Sequence, residues 1–212
     1  MVRSTDKLIS LGSDPLCQSV AGFRIRFLDS WGKLGNELAD FLWQKNGFYA
    51  FESALHVFPA CRAERTMDLE KWNDPKLWIE SYEDMALDTL FFAEGILGDQ
   101  FGIKHGEIVR FEAETGLLER VAANLEEWAD LILKDYKYQT GYPLAHEWQK
   151  AHGPIHNGQR LVATIPFVLG GEFDISNLFA MDAAKAMRYH GDFARQIRHV
   201  PNGTKIKLEI GE

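Results

Sequence analysis

Cysteine is nearly absent. Cys17 and Cys61 are the only two in 212 residues, and so widely separated a pair makes neither a zinc ribbon nor a redox Cys-x-x-Cys motif. Their scarcity fits a reducing compartment, with both expected as reduced thiols and one or both buried. Long hydrophobic runs are missing too. No stretch approaches the 18 or more apolar residues of a membrane span, and the N-terminus has no apolar core of usable length for a signal peptide. A soluble, cytoplasmic chain that does not engage a membrane is expected. Basic residues are in deficit, 23 Lys and Arg against 31 Asp and Glu, for a net charge of -8. A general nucleic-acid binder needs the opposite balance, because neutralising phosphates takes Lys and Arg in excess.

Chemistry-bearing motifs are scarce in the same way. No Gly-x-Ser-x-Gly elbow offers a hydrolase nucleophile. Gly170-Gly171 is followed by the acidic Glu172 rather than by the Lys-Ser or Lys-Thr of a phosphate cradle, and Gly98-Asp99-Gln100-Phe101-Gly102 lies between expected strands and reads as a turn. His146, His152 and His156 have a metal-like spacing. Pro154 breaks the helix that would align the last two, and no thiolate or carboxylate completes a ligand set, so no metal is expected there. Carboxylates such as Glu94 and Asp99 are able in principle to work as an acid–base pair. They are equally well solvated surface, and Asn202-Gly203-Thr204, a glycosylation sequon by pattern, reads as a turn.

What the chain does have is aromatic mass, 14 Phe, 6 Tyr and 6 Trp, enough at this length to bury about 70% of the unfolded surface. Leu34, Leu38, Phe41 and Leu42 share one helical face, ended near Asn46-Gly47. Phe48-Tyr49-Ala50-Phe51 reads as a strand and Leu55-His56-Val57-Phe58 as a second, stopped by Pro59. Trp78, Tyr82 and Met85 recur at helical spacing. The centre then changes period, with short apolar runs at 89–93, 100–104, 108–112 and 117–121. Turns this short join only antiparallel neighbours. Asn124 with Glu127 has capping-box spacing, and Leu125, Trp128 and Ile132 form the inner stripe of the helix that follows. Residues 142–151 read as another helix. Residues 161–169 are strongly apolar and turn at Gly170-Gly171 into Glu172-Phe173-Asp174-Ile175. Asp182 is the expected cap of a final helix with Ala186, Tyr189, Phe193, Ile197 and Val200 facing the core despite Gly191. Residues 205–210 read as a closing strand after Asn202-Gly203. The sum is an α+β fold: a mostly antiparallel sheet of about six strands with helices packed against it, preceded by a loosely packed lead-in over 1–30 and forming a single domain over 31–212.

Charge is unevenly placed. Residues 66–94 carry eight acids against Lys71 and Lys76, residues 112–135 seven acids against Arg120 and Lys134, and residues 183–212 six basic residues against three acids. Such separation steers a chain toward an oppositely charged partner.

The segment Phe91-Phe92-Ala93-Glu94-Gly95-Ile96-Leu97-Gly98-Asp99-Gln100-Phe101-Gly102-Ile103 resembles a landmark of the SUKH superfamily, in which Phe-Ala-Glu followed by Gly-Asp-Gln-Phe leads into a strand. Ile108 to Gly116 is similar to the family's next hairpin, and Asn124-Leu125-Glu126-Glu127-Trp128 to its following helix start. Ile165 to Phe173, with Asn177-Leu178, looks like a bacterial version of the same protein. The superfamily includes Smi/Knr-type cell-wall regulators, suppressor-of-fused-like domains and many bacterial immunity proteins. The resemblance spans about residues 30–210. It implies an α+β fold, no cofactor, no catalytic set and no enzymatic activity. It also implies a protein partner, a toxin domain neutralised by an immunity protein, or else a cellular protein bound by a regulatory scaffold; an uncharacterised hydrolase is the remaining alternative. With a basic toxin as partner, the exposed acids Glu83, Asp84, Glu94 and Asp99 are the expected contacts.

Overall fold

Six short strands pair in chain order, each antiparallel to the next: β1 (Phe48–Ala50), β2 (Leu55–Val57), β3 (Leu90–Gly95), β4 (Gln100–Lys104), β5 (Glu107–Phe111) and β6 (Leu118–Ala122). The computed structural model describes residues 2–18, 26–61, 67–201 and 203–204. The expected α+β architecture, an antiparallel six-stranded sheet with helices against it, is what the chain forms. The β4–β5 hairpin shows why the meander was legible. Lys104 pairs with Glu107 across His105 and Gly106, whose φ angles of 51° and 78° are both positive, the backbone of the two-residue turn that matches strand twist.

Side chains alternate across the sheet, and both faces are covered. On one face Trp128 meets Phe41, Phe92 and Phe101 edge-on. It belongs to α4 (Leu125–Thr140), and Phe41 to α2 (Gly32–Gln44). Asn124 caps α4 by accepting the Glu127 N–H at 2.9 Å, and the Glu127 carboxylate reaches back to the Ala123 N–H, so the expected capping pair is present. On the other face Trp72, Trp78 and Tyr82 pack against Phe58, Phe91 and Phe111. Trp72 ends the short α3 (Leu69–Trp72), and Tyr82 lies in a 3-10 stretch, Ile79–Ala86, kinked at Glu83.

A smaller second cluster buries Ala54, Ile96, Ala145, Ile155, Leu161, Ala163 and Leu178. It lies beneath α5 (Tyr142–His152) and a separate two-stranded sheet of β7 (Gln159–Ala163) and β8 (Leu178–Asp182). The Leu161 N–H donates to the Ile96 carbonyl at 2.9 Å and ties β7 to the β3–β4 turn. Asp182 caps α6 (Ala183–Ile197), accepting from the Lys185 N–H.

Several expectations are corrected. The 1–30 lead-in is not loosely packed where it is described: α1 (Ser4–Leu11) buries Leu8, and the Glu126 carboxylate of α4 accepts the Ser4 and Thr5 N–H groups and the Thr5 hydroxyl at its N-terminus. Leu28, in the 3-10 turn Arg26–Trp31, is also buried. Residues 172–175 are not the return strand of 161–169. That strand is β8, three residues later, and a 3-10 turn at Phe167–Leu169 intervenes. On α6 the expected Ala186 and Phe193 are buried, but Tyr189, Ile197 and, beyond the helix, Val200 are only partly so, and Ala183, Ala184, Met187, His190, Gly191 and Ala194 complete the inner face. Gly191 is the contact itself. A Cβ there would lie 2.7–2.9 Å from Ser81, so glycine lets α6 approach the Ile79–Ala86 stretch. Cys17 and Cys61 form no disulfide, and both are partly exposed rather than buried. The expected closing strand at 205–210 lies outside the described residues. No helix among the described residues is long and apolar enough to cross a membrane.

Candidate functional site

The antiparallel register places five polar and aromatic side chains in one cross-strand row. Tyr49 pairs with His56, His56 with Glu94, Glu94 with Gln100 and Gln100 with Phe111. All therefore point to the face that also carries Trp72 and α6. Glu94 is the centre of the row. Its Oε1 lies 2.9 Å from His56 Nδ1 and 2.5 Å from Nη2 of Arg160, a β7 residue, and its Oε2 accepts from Gln100 Nε2 at 3.4 Å. Glu94 and Arg160 are each 1% exposed. The Nη2 contact is an ion pair; Arg160 Nη1 donates to the Gln159 carbonyl at 2.6 Å, while Nε has no hydrogen-bond partner among the described residues. Burial pulls the Glu94 carboxyl upward, but the Arg160 guanidinium and the His56 bond outweigh it, and its pKa lies below the ordinary carboxylate value. Burial likewise lowers His56. The pair is thus an ionised carboxylate accepting from a neutral imidazole. With the ring stacked on Tyr49 at 4.3 Å and tilted against Phe58 at 4.4 Å, the row fixes strand register and pins β7 to the sheet. A pocket of about 360 Å3 opens beside it, lined by Tyr49, His56, Glu94, Gly158 and Ala184 among others.

The four acids singled out from the sequence therefore part company. Glu94 is core, and its selection as an exposed partner contact is corrected: a bulge between Phe91 and Ala93 shifts the alternation by one and turns Glu94 to the covered face that Phe91 also occupies. Asp99 sits in a cleft wall, salt-bridged to Arg110 at 2.5 Å and accepting the Ala113 N–H at 3.0 Å. Glu83 and Asp84 are exposed on the kinked Ile79–Ala86 stretch. Glu83 lies 3.5 Å from Arg195, and both oxygens of Asp84 meet Arg198, so the basic end of α6 folds back and neutralises them. Exposed pairs of this kind contribute little stability. They also leave less net charge for a partner than the sequence count implies.

The larger concavity is a cleft of about 740 Å3 where the β3–β4 turn and β5 face α4, α5 and the segment between β7 and β8. Asp99, Arg110, Glu112 and Glu114 come from the sheet side. Tyr138 and Glu147 come from α4 and α5, Val168 and Phe173 from the β7–β8 connection, and His190 of α6 lines the floor. Glu114 organises the connection. Its Oε1 accepts the Phe167 N–H at 3.0 Å and its Oε2 the Val168 N–H at 2.9 Å, satisfying two donors at the start of the 3-10 turn. Burial nonetheless holds its carboxyl above the usual carboxylate value. His190 is buried with neither ring nitrogen hydrogen-bonded among the described residues, and burial pushes its pKa down to about 4. The mouth is apolar: Phe173 is 71% and Tyr138 65% exposed, with Ile165, Val168 and Leu169 also exposed on the same connection. Phe173 stacks in parallel on Phe167 at 4.1 Å. Sequence reasoning missed the cleft, because it joins segments brought together only by the pinned β7–β8 unit. The clue was Pro166 inside the apolar run 161–169, a residue that a strand interior does not ordinarily accept.

The three histidines are apart in function. His146 Nδ1 meets the Glu52 carboxylate at 2.8 Å, His152 Nδ1 meets the Trp148 carbonyl, and His156 is exposed. Among the described residues no group of three or more His, Cys, Asp or Glu is placed to hold a metal ion.

No family model matches the chain, and no curated protein matches it. Among solved structures, the crystal structure of Atu4351 from Agrobacterium tumefaciens is similar, with a TM-score of 0.54 over 87% of this chain and 86% of that one at 14% identity. At that identity the likeness is one of fold, and it extends over nearly the whole of both chains.

Proposed function

We propose that this chain is a non-enzymatic protein-binding domain that neutralises a bacterial toxin by masking it, the role its resemblance to SUKH immunity proteins implies. The observation that carries the reading is the mouth of the 740 Å3 cleft, where exposed Tyr138, Val168 and Phe173 surround a wall bearing Asp99, Glu112 and Glu114. Soluble surfaces rarely gather large apolar side chains around a concavity unless something covers them. Aromatic anchors ringed by polar groups are the usual energetic centres of protein interfaces. Each such side chain, fully covered, contributes about 1.5–3 kcal/mol. The wall acids add electrostatic complementarity to a basic toxin domain.

The test is co-expression with a toxin-like gene lying directly beside this one, followed by pull-down of the purified chain and a salt series. Rescue of growth together with a complex that weakens as salt rises supports the reading. No rescue and no complex at low salt, with turnover of a small substrate instead, would replace it with an enzyme.

A further inference from the structure

Resting on that reading and deepening it, we propose that the cleft is a receptor for an arginine side chain presented by a loop of the protein partner, with Glu114 as its counter-ion and the outer face of Phe173 as its stacking surface. Four acids line the cleft, Asp99, Glu112, Glu114 and Glu147, against two bases, Arg110 and Lys137. Asp99 is already committed to Arg110, through both Nε at 3.1 Å and Nη2 at 2.5 Å. Among the described residues Glu114 has only backbone donors, one N–H on each oxygen. A carboxylate oxygen has a second lone-pair site, so each remains able to accept from an incoming cation. The two existing bonds hold the carboxylate in one orientation, ready for a planar fork.

His190 is the second, independent mark of a ligand. It lines the same cleft, it is 2% exposed, and among the described residues neither ring nitrogen has a hydrogen-bond partner. Buried polar groups are normally satisfied, and a neutral imidazole offers one lone pair as acceptor. A carboxylate and an imidazole acceptor in one cavity ask for several donors carried by one group. Guanidinium supplies five in a rigid plane, whereas the ammonium of lysine is a compact, strongly hydrated point charge. The aromatic wall agrees. Phe173 has one face stacked on Phe167, with an interplanar angle of 3°, and at 71% exposure its other face is open to stack a guanidinium. A cavity of about 740 Å3 takes that side chain and the apolar residues flanking it in the partner's loop.

The experiment titrates the full chain, uniformly labelled with 15N, with Nα-acetyl-arginine N-methylamide, and in parallel with the citrulline and lysine counterparts. Arginine is expected to give saturable shifts at the Phe167, Val168 and His190 amides. Lysine should bind more weakly and the uncharged citrulline compound not measurably. Glu114→Gln should weaken the arginine compound on the order of tenfold, the loss of one charge-assisted contact. Because Glu114 also holds the Phe167–Leu169 turn, Phe173→Leu, a change at an exposed position, is the second variant, and several-fold weakening is expected. Glu83→Gln with Asp84→Asn, which do not line the cleft and are paired with Arg195 and Arg198, should leave the titration unchanged. Citrulline binding as well as arginine, or shifts scattered over the acidic surface, would overturn the receptor. So would a toxin-like partner bound elsewhere while the cleft stays silent, though protein binding would then stand. Saturation by arginine in a chain that binds no neighbouring toxin would leave the receptor in place and remove the immunity reading.

Discussion

Glu94 and Arg160 meet at 2.5 Å in the core, each 1% exposed, and join the six-stranded sheet to the two-stranded β7–β8 unit. Two ions this deeply buried hold together at a large desolvation cost, so removing one partner leaves the other uncompensated. Glu94→Gln or Arg160→Met should each cost about 3–5 kcal/mol of unfolding free energy, whereas replacing both should cost well under the sum. Urea unfolding of the two single variants and the double gives the coupling. Additive losses would mean that the pair does not act as a unit.

Burial holds the His190 pKa near 4, and Asp99 opposes that shift only in part. The unfolded chain binds a proton at about pH 6.5 that the folded chain refuses until about 4. This contribution to stability is therefore complete above pH 6.5 and lost as pH falls toward 4, about 3 kcal/mol across the window. His56, lowered by burial, adds a loss of the same sign. Glu94, whose folded pKa is depressed, adds a further loss as pH falls through that folded value. Glu114, raised by burial, works the other way. Urea midpoints of the parent and His190→Gln at pH 7.5, 5.5 and 4.5 check the sign: the variant should show the shallower decline, and equal slopes would contradict it.

The contrast between Phe92 and Glu94 shows what the sequence could and could not disclose. The short glycine-bearing turns forced antiparallel neighbours, so the meander from β3 to β6 was readable from spacing alone, and Asn124 with Glu127 fixed the start of α4. The fate of Glu94 was not readable. Its neighbours His56, Gln100 and Arg160 lie on three different segments, and only the register tells that they converge. Glu83 and Asp84 were legible as exposed acids, but their pairing with Arg195 and Arg198 needs α6 folded back across the Ile79–Ala86 stretch. The cleft was hidden for the same reason, since β8 begins only at Leu178, beyond a 3-10 turn that apolar periodicity does not distinguish from strand.

Gly191 lies mid-helix, where alanine is ordinarily preferred by about 1 kcal/mol. Here the new Cβ would press within 3 Å of the Ser81 Cβ, C and O atoms, and backbone cannot swing aside as a flexible side chain does. Overpacking of this kind costs about 1–3 kcal/mol, so Gly191→Ala should lower the thermal midpoint. A raised midpoint would show that α6 and the Ile79–Ala86 stretch are less closely held than described.

The N-terminal helix should behave as part of the fold. Leu8 is fully buried, and Glu126 accepts from the Ser4 and Thr5 N–H groups and the Thr5 hydroxyl. Leu8→Ala should cost about 2–5 kcal/mol, read by urea unfolding. A loss under 0.5 kcal/mol, the range of surface changes, would return α1 to the status of a loose lead-in.

The central claim is that a protein partner is bound at the cleft mouth, and isothermal titration of the purified toxin-like neighbour tests it most directly. Val168→Ala with Phe173→Ala, both at exposed positions, should weaken the complex by roughly 2 kcal/mol or more, about thirtyfold in dissociation constant. Charge removal at Glu83 and Asp84, already paired with Arg195 and Arg198, should change it by less than threefold, about 0.6 kcal/mol. Unchanged affinity in the rim variant beside a large loss in the Glu83 and Asp84 variant would place the interface on the kinked stretch instead and contradict the account.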